Sequence, residues 1–297
     1  MLTIGSRGSK LALWQARWVA QRLGERGVQT RIEIIKTTGD KITDVALSKV
    51  GSKGLFTKEL EEALLAGEID LAVHSLKDMP TDLPEGLDLA GIPEREDARD
   101  AMAGLRLSEL KQGARVGTSS LRRAAQLRAA RSDLVVESLR GNLDTRLRKL
   151  DEGSYDAIVL AAAGLRRLGW ESRIAEALDV ETMCPAVGQG ALAIETRAGS
   201  EIGGLLDHAP TRTAVTAERA LLASLGGGCQ VPIGAHAVLA GQELHLRAVV
   251  ASPDGSAVVK RACRGAAADA ARLGAELAEQ LLEAGAEAIL ESVYGAA

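Results

Sequence analysis

The chain has 297 residues, of which 46% are hydrophobic and 26% are charged, a composition typical of folded globular proteins and not of disordered ones. Its length exceeds what one ordinary hydrophobic core occupies, so two or three domains are expected. The formal net charge is -4 and aromatic residues make up only 2% of the chain. Both values argue against non-specific nucleic-acid binding, which needs a basic surface and base-stacking side chains.

Sequence features also predict the cellular compartment of the protein and whether it binds a metal. Residues 1–8 contain no apolar segment followed by a cleavage site, so no signal peptide is predicted. The longest apolar run, Ala157–Ala163, is too short to span a bilayer. Cys184, Cys229 and Cys263 form an odd set with no C-x-x-C pair, so neither a disulfide framework nor a zinc site is expected. These features predict a cytoplasmic protein without a metal.

The first part of the chain alternates predicted strands and helices. A strand at Leu2–Gly5 precedes a helix that is capped by Ser9 and carries Leu11, Trp14 and Trp18 on one apolar stripe. The next predicted elements are a strand at Arg31–Thr37, a helix at Thr57–Ala66, a strand at Ile69–Val73 and a loop at His74–Pro80. This order predicts a parallel sheet with helices on both faces.

The same alternation returns further along the chain. The predicted elements are a strand at Ala114–Gly117, a helix capped by Ser119 or Ser120, a strand at Leu134–Leu139, a helix capped by Asn142 and a strand at Asp156–Ala162. Two similar α/β lobes are therefore expected. A cleft between them would be the natural ligand site.

A third region follows with a different pattern. A helix at Thr216–Leu225 leads into a run of three glycines that ends at Cys229. Predicted strands then follow one another at Ile233–Leu239, Glu243–Ala251 and Ala257–Cys263, before a long helix at Ala266–Ala284. Strands that are grouped together and followed by a helix are typical of a separate α+β domain.

One strand-to-helix turn has the composition of an anion site. Thr118, Ser119 and Ser120 supply hydroxyl groups there, and Arg122 and Arg123 lie one turn into the helix. A helix N-terminus binds anions through its free N–H groups, and arginine forms forked hydrogen bonds with carboxylates. The alternative interpretation is a capped surface helix with solvated arginines.

Further basic residues follow the ends of predicted strands, where open α/β sheets bind ligands. An acidic protein that gathers cations there is expected to bind a small polyanion, although individual members could be ordinary solvated charges. The set consists of Arg7, Lys10, Lys77, Arg140, Arg146, Arg166 and Arg167, together with Lys49 and Lys53 in a Gly/Ser/Lys loop that is predicted to act as a lid over the cleft.

Two residues are candidates for the chemistry. Asp78 follows Lys77 in the loop after a strand, where an aspartate is commonly a turn residue. Among cations in a cleft, it would instead handle protons or stabilise a cationic intermediate. Cys229 follows three glycines, which leave room for a bulky group beside the sulfur, whereas Cys184 and Cys263 have no such surroundings and are predicted to be structural.

Seven segments resemble the porphobilinogen deaminase (hydroxymethylbilane synthase) family, and they follow one another in the family's order. They are Arg7–Gln15, Lys49–Phe56, His74–Asp78, Gly117–Arg123, Ser138–Asn142, Pro185–Gly190 and Gly227–Pro232. The resemblance implies two α/β lobes like those of type II solute-binding proteins, plus a third α+β domain. The implied boundaries are 1–93 with 191–208 for the first domain, 99–184 for the second and 211–297 for the third.

The resemblance also implies a reaction. The family is implied to join four porphobilinogen molecules head to tail, with loss of ammonia, into hydroxymethylbilane, a linear precursor of haem and chlorophyll. Growth starts on a dipyrromethane cofactor that the enzyme makes itself and holds through a cysteine thioether, matched here by Cys229. Asp78 matches the catalytic aspartate. No metal or nucleotide is implied, and the family pattern is a monomer with no nucleic-acid or membrane partner.

The resemblance divides the remaining site residues into two sets. Those implied to bind the cofactor are Lys77, Thr118, Ser119, Ser120, Arg122, Arg123, Arg140 and Arg146. Those implied to bind the substrate are Arg7, Ser9, Arg140, Arg146, Arg167 and Gln189. Each pyrrole unit carries an acetate and a propionate, so a growing chain requires many cationic partners.

Two other classes of protein fit parts of the pattern. A solute-binding protein for a polyanion would have the two lobes, but it would have a signal peptide and would lack the third domain with its Gly-Gly-Cys loop. A nucleic-acid-binding regulator would share the lobe fold. It would also need a helix-turn-helix or a basic arm, and neither is visible in the sequence.

Overall fold

The computed structural model describes residues 1–41, 55–227 and 231–294, with side chains 40 and 41 excepted. Three β-sheets organise this part of the chain, two with five strands and one with three. Lys49, Lys53 and Cys229 lie outside the described residues, so the predicted lid and the cofactor cysteine are not placed by the structure.

The first sheet contains both parallel and antiparallel pairs. Its strands are β1 (Leu2–Ser6), β2 (Thr30–Ile34), β3 (Leu71–Ser75), β4 (Leu87–Gly91) and β10 (Leu192–Arg197), in the order β2-β1-β3-β10-β4. Strand β1 pairs in parallel with β2 and β3, whereas β10 runs antiparallel to β3 and β4. The helices of this region are α1 (Lys10–Gly24), α2 (Thr38–Lys41) and α3 (Lys58–Leu65).

The second sheet repeats this topology with other residues. Its strands are β5 (Asp100–Gly104), β6 (Arg115–Gly117), β7 (Val135–Glu137), β8 (Ala157–Ala161) and β9 (Glu176–Ala177), in the order β7-β6-β8-β5-β9. Strand β6 is parallel to β7 and β8, and β5 is antiparallel to β8 and β9. Its helices are α4 (Leu121–Ala130), α5 (Leu143–Asp151) and α6 (Ala162–Arg167).

The third region is an antiparallel sheet covered by helices. Its strands are β11 (Ile233–Ala240), β12 (Glu243–Ala251) and β13 (Val258–Ala266), and its helices are α7 (Ala209–Ser224), α8 (Ala270–Leu281) and α9 (Glu287–Tyr294). A kinked segment, Leu282–Ala286, joins α8 to α9, and Gly285 within it has a φ of 100°. Leu221, Leu246 and Leu277 belong to the aliphatic core between sheet and helices. None of the helices in the described part of the chain is long and apolar enough to cross a membrane.

The predicted fold class, two type II α/β lobes plus a third α+β domain, is confirmed. The buried stripe of α1 differs from the prediction. It consists of Ala12, Gln15, Ala16, Val19 and Leu23, while the predicted Leu11, Trp14 and Trp18 are only half-buried beside it. Two alanines in this stripe, Ala12 and Ala16, leave room for the helix to pack closely on its sheet, and the two tryptophans lie at the side of that contact.

Other local differences concern element ends and missed strands. Asn142 occupies the N-cap position of α5, but its side chain makes no capping hydrogen bond. Helix α7 begins at Ala209 and not at Thr216, because Pro210 is accepted in its first turn. Strands β4, β5, β9 and β10 were not predicted. All four lie next to the two segments, residues 92–99 and 178–191, through which the chain passes from the first sheet to the second and back.

Glu218 joins the third region to both of these crossing segments. It is fully buried on α7, and its carboxylate accepts from Arg95 Nη1 at 2.6 Å and Nη2 at 3.2 Å. The backbone N–H groups of Gly188 and Ala237 donate to the same carboxylate at 2.7 and 2.8 Å. One side chain therefore connects residue 95 of the first segment, residue 188 of the second and strand β11.

Replacing Glu218 with Gln should lower the free energy of unfolding by about 3–5 kcal/mol, the scale for removing one partner of a buried ion pair. A glutamine amide leaves the Arg95 guanidinium without a buried counter-charge. Its NH₂ group would also face a donor, either Arg95 or a backbone N–H group, in place of an acceptor. The measurement is the shift in urea unfolding midpoint. Glu276→Gln, which removes the charge of an exposed partner of Arg272, is the control and should leave the unfolding midpoint close to that of the wild type. Equal midpoint shifts in Glu218→Gln and Glu276→Gln would contradict a stabilising role for the buried Glu218 carboxylate.

Candidate active site

The loop after β3 presents Lys77 and Asp78. Leu76–Asp78 form one 3₁₀ turn, in which Leu76 is buried, Lys77 is half-buried and Asp78 is exposed. The strand end behind this turn is fixed by a buried contact between His74 Nε2 and Glu195 Oε2, at 3.0 Å. The loop therefore holds Asp78 outwards on a rigid support.

The second strand-to-helix turn is ordered by its own hydroxyl groups. Of the two cap candidates, Ser120 is the N-cap of α4, and its Oγ accepts from the backbone N–H of Arg123 at 3.4 Å. Ser119 Oγ donates to Leu139 O at 2.7 Å, and Thr118 Oγ1 accepts from the Ser120 N–H at 3.2 Å. The turn has the predicted composition and a defined shape.

The two arginines of this turn share one buried carboxylate. Arg122 and Arg123 are only 4% and 6% exposed, and Asp100 is fully buried between them. Asp100 Oδ2 accepts from Arg122 Nη1 at 2.6 Å. Oδ1 accepts from Arg123 Nε at 2.9 Å and Nη2 at 2.8 Å, and from Gln189 Nε2 at 2.9 Å. Arg122 Nη1 also donates to Cys184 O at 2.5 Å.

Sequence reasoning missed Asp100 as a site residue. It opens the apolar segment Asp100–Gly104, and a charged residue at the start of a buried strand is the signal that could have indicated it. Burial opposes its ionised form, but the guanidinium groups of Arg122 and Arg123 outweigh that effect and hold the pKa of Asp100 well below its usual range. Asp100 is therefore a permanent negative charge beneath the turn.

Cations from both lobes meet in front of this turn. Burial lowers the pKa of Lys77 from 10.5 to about 8, and the nearby charge of Arg123 adds to the effect. Burial also lowers the pKa of Arg146 to about 10, again with a contribution from Arg123 and a smaller one from Arg140. Asp78 acts in the opposite direction on Lys77 and Arg146, so it lies within electrostatic range of both.

Other predicted cations lie around the same cleft. Arg146 Nε donates to Gly141 O at 2.7 Å, and Arg167 Nη2 donates to Gly190 O at 2.6 Å. Arg7 stacks over the Phe56 ring at 4.2 Å, while Arg167 lies 6.0 Å from the Trp14 ring centroid. Burial lowers the pKa of Arg167 to about 10.

Several residues that were predicted to bind a ligand instead contact other groups of the protein. Arg166 forms ion pairs with Glu96, Asp97 and Glu171. The exposed Lys10 pairs with Asp144 at 3.4 Å. Ser9 Oγ caps α1 by accepting from the Ala12 N–H at 3.2 Å. Gln189 is fully buried, and in this conformation it supports Asp100 and Arg123 without lining the cleft.

The two cysteines in the described residues are chemically protected. Burial raises the pKa of Cys184 to about 12, and it also raises the pKa of the half-buried Cys263. Thiolates are the reactive form of cysteine, so neither sulfur is poised as a nucleophile. On either side of the undescribed residues 228–230, Gly227 and Val231 are buried, and the Tyr294 hydroxyl donates to Gly226 O at 3.0 Å.

The arrangement brings Lys77 and Asp78 of one α/β lobe within electrostatic range of Arg123 and Arg146 of the other, so that an exposed carboxylate lies among cationic groups that suit a polyanion. In residues 1–41, 55–227 and 231–294 no group of His, Cys, Asp or Glu side chains is placed to hold a metal ion. An acidic dipyrromethane, with an acetate and a propionate on each ring, fits the donor set of Lys77, Arg123, Arg140 and Arg146. The site therefore defines a protein that binds a chain of small carboxylated units.

Two family models match the chain. "Porphobilinogen deaminase, dipyromethane cofactor binding domain" matches residues 2–202, and "Porphobilinogen deaminase, C-terminal domain" matches residues 212–283. Porphobilinogen deaminase of Trichlorobacter lovleyi is 54% identical over 301 residues, covering 99% of this chain and 96% of the relative. That of Syntrophobacter fumaroxidans is 50% identical over 305 residues, covering 100% of this chain and 99% of the relative.

Solved structures with a similar fold include the methionine-binding protein MetQ, at 14% identity and a TM-score of 0.44, which covers 69% of this chain and 87% of its own. A periplasmic substrate-binding protein of an ABC transporter from Coxiella burnetii matches with the same identity and TM-score, over 69% of this chain and 90% of its own.

The chain belongs to the porphobilinogen deaminase family. It is thus a transferase of tetrapyrrole biosynthesis that contains the family's dipyrromethane cofactor-binding domain, and the predicted family, enzyme class and cofactor are confirmed. The roles of the individual residues are the subject of the proposal below.

The position of Lys77 predicts a titration that depends on the cofactor. In protein that intact mass shows to carry no cofactor, Lys77 should lose its proton as the pH rises through about 8. Carboxylates of a bound dipyrromethane should raise that midpoint in the wild type, because they favour the ammonium form. Acetylation by acetic anhydride at a series of pH values, followed by peptide mass spectrometry, measures both midpoints. Urea-unfolded protein is the reference, with a midpoint near 10.5. Equal midpoints in the two folded forms would contradict a cofactor carboxylate beside Lys77.

Proposed function

We propose that this chain joins four porphobilinogen molecules head to tail, with loss of ammonia, and releases hydroxymethylbilane, with Asp78 as the catalytic carboxylate. The observation that carries the proposal is the exposed Asp78 within electrostatic range of Lys77, Arg123 and Arg146. A carboxylate in that position can face a cationic intermediate while the surrounding cations bind the acidic side chains of the pyrroles.

The proposed carboxylate-binding groups are the cations of both lobes. Lys77, Arg123, Arg140 and Arg146, with the hydroxyl groups of Thr118, Ser119 and Ser120, would hold the cofactor. Arg7 and Arg167, with Arg140 and Arg146, would hold the incoming substrate, because their side chains are half-buried around the same cleft. We propose a supporting role for Arg122 and Gln189, which contact Asp100, and for Ser9, which caps α1.

Asp78 would act three times in each round of elongation. Its carboxyl group first gives a proton to the aminomethyl nitrogen of porphobilinogen, and that nitrogen leaves as ammonia. The carboxylate that remains then stabilises the methylene-pyrrolenine cation of the substrate. It finally accepts the proton that is displaced from the α-carbon when the new carbon–carbon bond forms, which restores the acid for the next round.

Cys229 is the proposed attachment point of the cofactor. A thioether from this sulfur would keep the growing chain on the enzyme between additions. When bound, the dipyrromethane supplies the free pyrrole α-carbon that the first substrate unit joins. The high thiol pKa values of Cys184 and Cys263 support this choice among the three cysteines.

The remaining expectations belong to the same proposal. The domain boundaries would be 1–93 with 191–208, 99–184 and 211–297. We propose a monomer that acts in the cytoplasm on a small molecule and has no nucleic-acid partner. The net charge of -4 supports the last point, since nucleic-acid binding depends on positive charge.

Asp78→Asn tests the catalytic role. The amide keeps the size of the side chain but removes its charge and its exchangeable proton, so kcat should fall by a factor on the order of 10² or more, the scale for a positioned acid–base group. Asp78→Glu keeps the charge but displaces it by one methylene, and it should retain more activity than Asp78→Asn. Steady-state rates and single-turnover addition of one pyrrole should give the same order, since the defect lies in the chemical step.

Asp88→Asn is the matched control, because Asp88 is an exposed aspartate on β4 of the same lobe. It should leave kcat unchanged. A wild-type rate for Asp78→Asn would refute the assignment of this carboxylate.

Intact mass tests the attachment site. Protein purified from cells that make porphobilinogen should be heavier than the bare 31.0 kDa chain by two pyrrole units. Cys229→Ala should remove this adduct because the thioether can no longer form. Cys263→Ala, which removes a half-buried cysteine, should keep it. A bare-chain mass in the wild type, or an adduct that survives in Cys229→Ala, would overturn the attachment to Cys229.

A further inference from the structure

We infer that Asp100 is a positioning residue, which orients the guanidinium groups of Arg122 and Arg123 and ties them to both segments that cross between the lobes. The inference deepens the proposed function and rests on it for the ligand that these groups face. It concerns a residue that never touches the substrate, since its carboxylate is fully buried.

The hydrogen bonds of Asp100 come from three different parts of the fold. Asp100 directly follows the first crossing segment, residues 92–99, and is the first residue of β5. Arg122 and Arg123 come from the first turn of α4, and Gln189 comes from the second crossing segment. Gln189 also donates to Ala98 O at 2.7 Å, so the two crossing segments are joined directly beside the carboxylate.

The geometry fixes orientation as well as charge. The Nε and Nη2 of Arg123 both point at Asp100 Oδ1, at 2.9 and 2.8 Å, which sets the plane of the guanidinium. Its Nη1 donates to Val159 O at 3.2 Å on β8. An arginine held at three nitrogens has little rotational freedom left, so its position relative to Lys77 and Asp78 is set before any ligand arrives.

Asp100 and the two arginines together carry a positive charge that acts on Lys77. Asp100 is the carboxylate that pairs with both arginines in the described part of the chain, so these three side chains together carry a net charge of +1. Lys77 lies within electrostatic range of all three, and Asp100 favours its ammonium form while both arginines disfavour it. Removing the charge of Asp100 should therefore be measurable at Lys77.

The direction in which the Lys77 midpoint moves distinguishes loss of the Asp100 charge from a general loss of structure. In the cofactor-free Cys229→Ala background, Asp100→Asn should move the Lys77 acetylation midpoint below its value of about 8, because the arginines are no longer offset. A purely structural loss would loosen the cleft and expose Lys77, so its midpoint would move up towards 10.5. An upward shift, or none in a folded protein, would overturn the inference.

Two variants serve as matched comparisons. Asp97→Asn removes a carboxylate from the same crossing segment, where it pairs with Arg99 and Arg166, and it should leave the Lys77 midpoint in place. Asp100→Glu retains the charge and displaces it by a methylene, so the midpoint should stay close to 8 while kcat/KM falls by about 10²-fold, the scale for a misplaced binding group.

A double variant keeps the inference testable if Asp100→Asn does not fold. Arg122→Met with Asp100→Asn removes one charge of each sign, so the buried net charge stays at +1 and folding is favoured. Arg123 then faces a single neutral amide oxygen in place of the carboxylate that orients it, and the fraction of protein loaded with cofactor, measured by intact mass, should fall at least tenfold. Loading equal to the wild type would show that Asp100 is only a counter-ion and would refute the positioning role.

These outcomes are separate from those of the proposed function. The Lys77 midpoint is measured without substrate and does not depend on Asp78 being the catalytic carboxylate. Wild-type turnover of Asp78→Asn together with a lowered Lys77 midpoint in Asp100→Asn would refute the catalytic assignment and leave the positioning role intact.

Discussion

Repulsion among like charges is the constraint on which this cleft depends. A polyanionic product requires several cations close together, yet each guanidinium or ammonium group makes its neighbours harder to keep charged. Burial is the larger cause of the lowered pKa values of Lys77 and Arg146, and repulsion from Arg123 adds to it in both cases. Asp100 beneath the turn and Asp78 in front of it offset part of this repulsion. A ligand carboxylate offsets more, so binding a further acidic unit relieves a repulsion that the empty cleft must sustain.

Cations that repel one another must also be held in place, and two buried carboxylates at the crossing segments do this. Asp100 joins both segments to the second lobe, and Glu218 joins both to the third region. Each carboxylate accepts from an arginine and from a group on the segment that returns to the first sheet. The lobes are thereby connected through charged hydrogen bonds, which are directional, and not only through apolar packing. Movement of one lobe against the other would have to occur around these two fixed points.

Sequence patterns over a few residues predicted the helices that begin at a capping hydroxyl group. Ser9 and Ser120 were found because an N-cap hydroxyl acts over three residues, and the parallel core strands because their apolar runs are continuous. Strands β4 and β5, with sequences LDLAG and DAMAG, were missed because their small residues become strand only through pairing with β10 and with β8 and β9. The role of Asp100 was invisible for a related reason, since its partners lie 22, 23 and 89 residues away. The carboxylate proposed to be catalytic was easier to single out, because Asp78 lies in a short motif beside Lys77.

Two aspartates near the same cations therefore differ in what they can do. Asp100 has no contact with solvent and accepts four hydrogen bonds, so its pKa lies well below the usual range and it cannot exchange a proton at neutral pH. Asp78 is exposed at the end of a 3₁₀ turn, where a substrate nitrogen or carbon can reach it. Acid–base work requires a group that both gains and loses its proton, whereas orientation requires a group that does neither. The difference in burial thus suits Asp78 to the proposed catalysis and Asp100 to the proposed positioning, although the two side chains are chemically identical.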